Sequence, residues 1–537
     1  MFFLYFLLFI AFYAIARHLI HKIRNLPPSP FPTLPVLGHL HLLKKPLHCT
    51  LAAISLRHGP ILLLQFGSRR VLVIASPSAA EECLSKNDII FANRPHLLAG
   101  KYIGYNYTSL AWSSYGEHWR NLRRIASLEL LSSHRLNNLS GIRAEEVTTL
   151  VKRLARKDDQ ARPVEMKTAL FELMMNVMMR MIAGKRKYTL REFHYLVDRP
   201  SSTGLFVPQF NFRISRYYGE NVAEAELEEA KKFREIVTET FRIGGATNVG
   251  EFLPVLRKIG FKGVEKELQA LQAKRDSFMH SLVEQHKREA KGGEDPNPEG
   301  EKNKTLIEVL LSLQESEPEY YKDVTIRSIM SVLLAAGTDT SAATMEWAMS
   351  LLLNHPKVLK KAQAEIDNVV GSDRLVKESD LTRLPYLHCI INETLRMYPA
   401  GPLMVPHESS EECHVGGYRV PGGTMLLINL YSIQRDPKHW PDPEKFKPER
   451  FEGMEGVKDG HKMMPFGSGR RGCPGENLAL RMVGMTLGSL IQCFEWGRIS
   501  KDLVDMTEGT GLTMPRARPL MAECRPRESM MLLLSQI

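Results

Sequence analysis

The sequence predicts a mainly α-helical protein with small β-sheets, and three observations carry that expectation. From about Leu51 onward helical periodicity dominates, and strand-like patterning is confined to Ile61–Ser76 and Tyr418–Leu430. The longest apolar pattern, Asp323 to Pro356, has helical length. The chain has 537 residues, 44% hydrophobic and 24% charged, so composition is ordinary globular and leaves the number of domains open. Its formal charge of +11 is scattered, without a basic block or interleaved aromatics. That argues against nucleic acid and favours an anionic membrane surface or an acidic protein partner. The seven cysteines are odd in number, widely spaced and without a CxxC pair, which argues against a disulfide framework or a zinc site and favours a reducing, cytosol-facing location.

Met1 to Ala16 are uninterrupted apolar residues, followed by Arg17, His18, His21, Lys22 and Arg24. Extended by Leu19 and Ile20, with Arg17 snorkelling, this run predicts a transmembrane anchor over 1–20, and the flanking positive charges keep the bulk of the chain in the cytosol. A cleaved signal peptide is the competing reading, suggested by the small residues Ala14 and Ala16, but the basic n-region is missing. Residues 21–38 form a basic and Pro-rich hinge. Prolines at 27, 28, 30, 32 and 35 fix φ and withhold donors, so this stretch is expected to be an extended strut orienting the body that follows. Within that body the Pro421-Gly422-Gly423 run predicts a hairpin turn, and Lys287–Lys304 is too polar and too rich in Gly and Pro to pack.

The Asp323–Pro356 helix is apolar nearly all round and is expected to be central and buried. Its oddity is "AGTDTS", Ala336 to Ser341, because an interior Gly costs ~1 kcal/mol against Ala and Thr, Asp and Ser compete for backbone hydrogen bonds. Two readings stand: a satisfied polar kink, or a widened groove that handles a small polar ligand.

"PFGSGRRGCPG", Pro465 to Gly475, sets Cys473 among glycines and arginines directly before a helical pattern. A thiolate is a soft, electron-donating ligand, and an iron porphyrin held by one Cys is pushed toward O–O cleavage. Gly469, Gly472 and Gly475 let backbone approach a flat macrocycle and aim amides at sulfur, Arg471 can meet a propionate, and Phe466 can pack nearby. The pattern F-x-x-G-x-R-x-C-x-G recurs by chance on the order of once in several million starting points, so a merely structural cysteine is a poor rival.

On these residues the sequence resembles the cytochromes P450 over almost the whole chain. "FGSGRRGCPG" is similar to their haem-binding loop, with Cys473 as the axial metal ligand. "AGTDTS" resembles their oxygen-activating stretch, and "ETLR" with "PERF" resembles their E-x-x-R helix and its third member. The resemblance implies that Glu393, Arg396 and Arg450 form a buried structural ion network, and that Trp119 and Arg123 of "WRNLR" reach haem propionates. His407 of "VPHES" takes either a propionate or an ordinary loop position. Asp339 and Thr340 are expected to organise catalytic protons, and Ala336, Leu403 and Leu512 to face the substrate.

Further stretches, among them "FANRP", "MSLLLNHP" and "YLHCIINETLRMYP", resemble plant microsomal members of the isoflavone 2′-hydroxylase-like group. The implied protein is a haem-thiolate monooxygenase on the endoplasmic reticulum membrane, single-pass, with its catalytic domain over 39–537 in the cytosol. It would carry haem b (heme b, iron protoporphyrin IX), use O2 with electrons from NADPH-cytochrome P450 reductase, touch membrane lipid and oxidise a small aromatic plant metabolite. One departure stands out: Lys187 to Arg216, aromatic and centred on "DRPSSTG", interrupts a junction that is continuous in relatives. The alternative reading is therefore a non-catalytic or misfolded haem-binding isoform.

Overall fold

The computed structural model describes residues 1–155, 162–184, 224–244, 249–253, 255, 263–291, 304–453 and 460–537. The insert at 187–216 lies outside them, as does most of the polar stretch 287–304. Helices dominate and three small sheets flank them, as the sequence predicts.

The helices that position the site are α1 (Phe2–Ile23), α2 (Leu47–His58), α3 (Glu117–Ile125), α4 (Met166–Ala183), α5 (Asp323–Asn354), α6 (Pro385–Met397) and α7 (Glu476–Cys493). The central helix α5 runs unbroken for 32 residues and packs against α4, α6 and α7 in one large apolar core. Its polar stretch is absorbed rather than broken. Thr338, Thr340 and Thr344 donate their hydroxyls to the carbonyls of Leu334, Ala336 and Thr340, one turn back. Gly337 is where α4 comes closest, since a Cβ there would lie 2.6 Å from the Met178 sulfur.

The main sheet joins β1 (Ile61–Phe66), β2 (Arg69–Ile74), β4 (His407–Glu408) and β7 (Met425–Ile428) in the order β1-β2-β7-β4; β3 (Arg162–Glu165), β9 (Met521–Pro526) and β8 (Phe494–Arg498) form a second sheet, and β5 (Cys413–Val415) with β6 (Tyr418–Val420) a third. The strand-like patch at Ile61–Ser76 forms the antiparallel pair β1 and β2, with Leu63 opposite Leu72. The hairpin predicted over Tyr418–Leu430 is not formed. Tyr418–Val420 pairs backward with Cys413–Val415, while β7 runs parallel to β2 and antiparallel to β4. The Pro-Gly-Gly turn, with Gly423 at φ +67°, thus passes the chain from one sheet to another. The four residues of β7 are all buried, so apolar burial between two partners outweighs a marginal two-stranded ribbon.

The N-terminal segment departs from a free anchor and strut. Among the described residues no helix is long and apolar enough to cross a membrane. Arg17 donates to Gln65 at the end of β1 (2.9 Å) and to Tyr13 (2.7 Å), so α1 is tied to the body at Arg17. That leaves an apolar stretch of roughly 22 Å, short of a hydrocarbon core. The Pro-rich run is extended but lies against the same sheet. Leu63 donates its N–H to the Pro28 carbonyl (3.0 Å), and the buried His39 takes Pro30 and the Gln65 amide.

Candidate functional site

Cys473 lies at the end of a tightly folded loop. Its N–H donates to the Phe466 carbonyl (2.8 Å), Gly467 to Met464 (2.9 Å) and Gly472 to Gly469 (3.0 Å), which closes residues 464–473 on themselves before α7 begins at Glu476. Gly469 is at φ +68°, and a Cβ there would lie 2.4 Å from the Leu84 carbonyl and 2.6 Å from the Asp88 carboxylate. This glycine therefore lets the loop seat on Leu84 and Asp88. Asp88 in turn accepts from the Arg470 amide (3.1 Å).

The thiol reaches solvent although protein crowds it. Burial pushes the Cys473 thiol up, while the Gly475 N–H and the Arg123 charge pull it down. The start of α7 adds its dipole in the same downward sense. A bound metal cation would complete that stabilisation and fix the thiolate.

Three arginines gather beside the loop. Arg123 donates to the Gly472 carbonyl (2.6 Å), and Arg471 to those of Ala92 (2.7 Å) and Ser113 (2.6 Å). Arg94 donates to Ala111, Val405 and Pro406. Burial, then mutual repulsion with Arg123, pushes Arg471 down to about 10, and burial with Arg471 lowers Arg94. Among the described residues none of the three forms a salt bridge with a carboxylate, and Arg471 Nη1 is buried without a hydrogen-bond partner. A concentration of buried cations lacking anions is costly unless a ligand supplies them. Thus a thiol donor, an orphaned guanidinium nitrogen and unpaired positive charge fit an iron porphyrin bearing two carboxylates.

The other predicted contacts are placed in part. Trp119 does not present its indole N–H outward; it donates to the Leu110 carbonyl (3.2 Å), and its ring lies 4.4 Å beneath the Arg471 guanidinium. The structure thus places Trp119 under an arginine of the loop. His407 is buried in β4, with Nδ1 against the Phe91 carbonyl (2.8 Å). Burial, reinforced by Arg94 and Arg471, lowers its pKa well below the usual value, so it is a neutral imidazole beside the arginine group.

Glu393, Arg396 and Arg450 assemble as expected. Arg396 holds both Glu393 oxygens (2.7 and 3.0 Å), Arg450 Nε holds one (2.9 Å), and the Lys447 amide adds a further bond (2.9 Å). Sequence reasoning missed Gln434. Its side chain donates to the Leu395 and Arg396 carbonyls and accepts from the Met464 amide, tying the network to the start of the cysteine loop. A lone Gln carries no pattern that could have shown this.

On α5, Ala336 is exposed among buried neighbours, so the helix borders a recess there. Asp339 accepts from Thr513 (3.0 Å), a partner with no sequence signal. Burial raises the Asp339 pKa, and Thr513 and Lys167 offset part of that. Leu512 reaches this region beside the segment at Phe241, to whose carbonyl its N–H donates (2.9 Å). Leu403 lies apart from these groups, packed on the core under the main sheet, although its neighbour Met404 abuts the loop at Gly467.

The cytochrome P450 family model matches residues 27–521 of the chain. A protein of Catharanthus roseus named cytochrome P450 81Q32 is 51% identical over 94% of this chain and 92% of its own length. An isoflavone 2′-hydroxylase of Glycyrrhiza echinata is 46% identical over 94% and 93%. A zebra fish cytochrome P450 solved with abiraterone superposes with a TM-score of 0.68 at 22% identity, covering 90% of this chain and all of that one.

Proposed function

The chain belongs to the cytochrome P450 family, and from that premise we propose that it oxidises a small aromatic plant metabolite of the isoflavonoid, flavonoid, lignan or related phenolic type. It is a monooxygenase; its cofactor is haem b, and its electrons derive from NADPH through a partner reductase. The observation that carries the reading of the site is Cys473, solvent-reachable and flanked by the Gly475 amide, Arg123 and the carboxylate-free Arg471. The similarity to an isoflavone 2′-hydroxylase supports the substrate class.

Bound through the Cys473 sulfur, the haem supplies the iron that activates O2. Arg471, through its open Nη1, and Arg123 beside it hold the propionates; His407 gives its one N–H to the Phe91 carbonyl and donates through Nε2 only when a propionate charge keeps the ring protonated. Phe466 packs under the loop. Asp339, raised by burial, holds a proton more readily than an ordinary carboxyl, and Thr513 fixes its Oδ2. Thr340 Oγ donates to the Ala336 carbonyl (2.8 Å) and keeps its lone pairs to accept a hydrogen bond, so it holds a proton donor in place without itself taking the proton. Ala336 and Leu512 border the substrate, whereas Leu403 packs under the main sheet.

Exposed Leu4, Leu8, Phe9, Phe12 and Ile15 on α1 support attachment to the endoplasmic reticulum membrane, with the catalytic body in the cytosol. Exposed Arg120 and Arg470, both over the Tyr115 ring, give the loop side a basic surface for NADPH-cytochrome P450 reductase. The test is incubation of microsomes holding the protein and reductase with NADPH and a panel of isoflavones, flavonoids and lignans. An oxygenated product from one class supports the reading; haem-loaded protein that oxidises none of them contradicts it.

A further inference from the structure

We propose that His48, Cys49 and Glu508 form a site for a divalent transition metal, zinc foremost, separate from the haem loop. His48 and Cys49 lie in the first turn of α2, and Glu508 lies in a turn bridged to Arg516. No spacing rule could suggest the group, because His48 and Glu508 are 460 positions apart. The fold brings their ligand atoms within 4.8 Å of one another, and His48 Nε2 stands 2.6 Å from Glu508 Oε2.

The donors are one imidazole nitrogen, one thiol sulfur and one carboxylate oxygen, a set that zinc takes with a fourth position left to water. Bond lengths of ~2.0–2.3 Å place tetrahedral ligands roughly 3.3–3.8 Å apart, so side-chain shifts of about 1 Å complete the geometry. The backbone is already held. The His48 carbonyl accepts from Asn429 (2.9 Å), and the Gly509 amide donates to the Pro515 carbonyl (2.8 Å).

Surrounding charge permits the ion. Arg435 stacks 3.9 Å over Tyr431 and lies 4.0 Å from Glu508, with exposed Glu444 on its far side (3.7 Å). Tyr431 itself packs on His48, with ring centroids 4.9 Å apart. A divalent ion held by one thiolate, one carboxylate and a neutral imidazole makes a site of no net charge, so Arg435 beside it meets no added positive charge.

The experiment uses full-length, haem-loaded protein equilibrated with Zn2+ at pH 8, dialysed, and analysed for zinc and iron together. One zinc per haem iron is expected, with Cys49→Ser and Glu508→Gln binding at least about tenfold more weakly while keeping the CO-bound spectrum. Titration with Co2+ of the unsubstituted protein, which needs no variant to fold, should add visible d–d bands of a tetrahedral site. Trace zinc without such bands, or equal zinc retention by Cys49→Ser, overturns the proposal.

Discussion

Glu393→Ala is predicted to destabilise the protein before it can touch chemistry. Glu393 and Arg396 are both fully buried, and Glu393 accepts four hydrogen bonds, two from Arg396, one from Arg450 and one from the Lys447 amide. Removing the carboxylate leaves the Arg396 charge uncompensated. Arg396 keeps the Gln434 and Pro443 carbonyls (both 2.8 Å), and Arg450 keeps Pro441 (3.0 Å), so the donors are not all orphaned. Breaking a buried pair costs ~3–5 kcal/mol, and these remaining carbonyls place the loss near the lower figure. Three kcal/mol is still roughly a hundredfold in the folding equilibrium, against a total of about 5–15. Because Gln434 links Arg396 to Met464, the loss should appear as poor haem retention as well as lower stability. The assay is thermal unfolding together with the ratio of CO-binding haem to protein. A midpoint drop of about 3 °C is expected for a chain of this length. Abundant, haem-loaded but inactive Glu393→Ala protein with an unchanged midpoint would refute the structural assignment.

Three further outcomes are expected. Thr340→Ala should bind haem and substrate normally yet divert electrons from product to hydrogen peroxide, measured as product formed per NADPH consumed; unchanged coupling removes Thr340 from proton handling. Gly469→Ala should cut the CO-binding fraction severalfold, because the positive φ costs about 1–3 kcal/mol and the new methyl group collides with the Leu84 carbonyl. Deleting Lys187–Arg216 and rejoining Arg186 to Tyr217 should raise haem-loaded yield, since "FHYL", "GLFV" and "FNF" put bulky apolar groups into this stretch. Lower yield or lost turnover would show instead that the insert belongs to the working enzyme.

What the sequence made legible was chemistry carried by neighbours in the chain. Cys473 with its glycines, the i and i+3 pair Glu393 and Arg396, and the apolar stretch of α5 are local patterns, and the structure has each where local geometry puts it. Contacts between distant segments were not legible. The pairing of Met425–Ile428 with β2 rather than with Tyr418–Val420 depends on which apolar faces meet, and periodicity says nothing of that. Trp119 illustrates the same limit: its i, i+4 spacing to Arg123 placed it correctly on one helix face, but the Leu110 carbonyl that takes its indole proton lies in another segment. Gln434, Thr513 and the His48–Glu508 pair are single residues whose roles exist only once the chain has folded.

The central claim is that Cys473 is the haem ligand. The direct measurement is the absorption spectrum of the dithionite-reduced protein under CO, recorded for the unsubstituted chain and for Cys473→His. The account predicts the long-wavelength Soret band of a thiolate-ligated haem in the first and its absence in the second. Persistence of that band in Cys473→His would mean that another of the seven cysteines holds the iron, and would contradict the assignment of the loop.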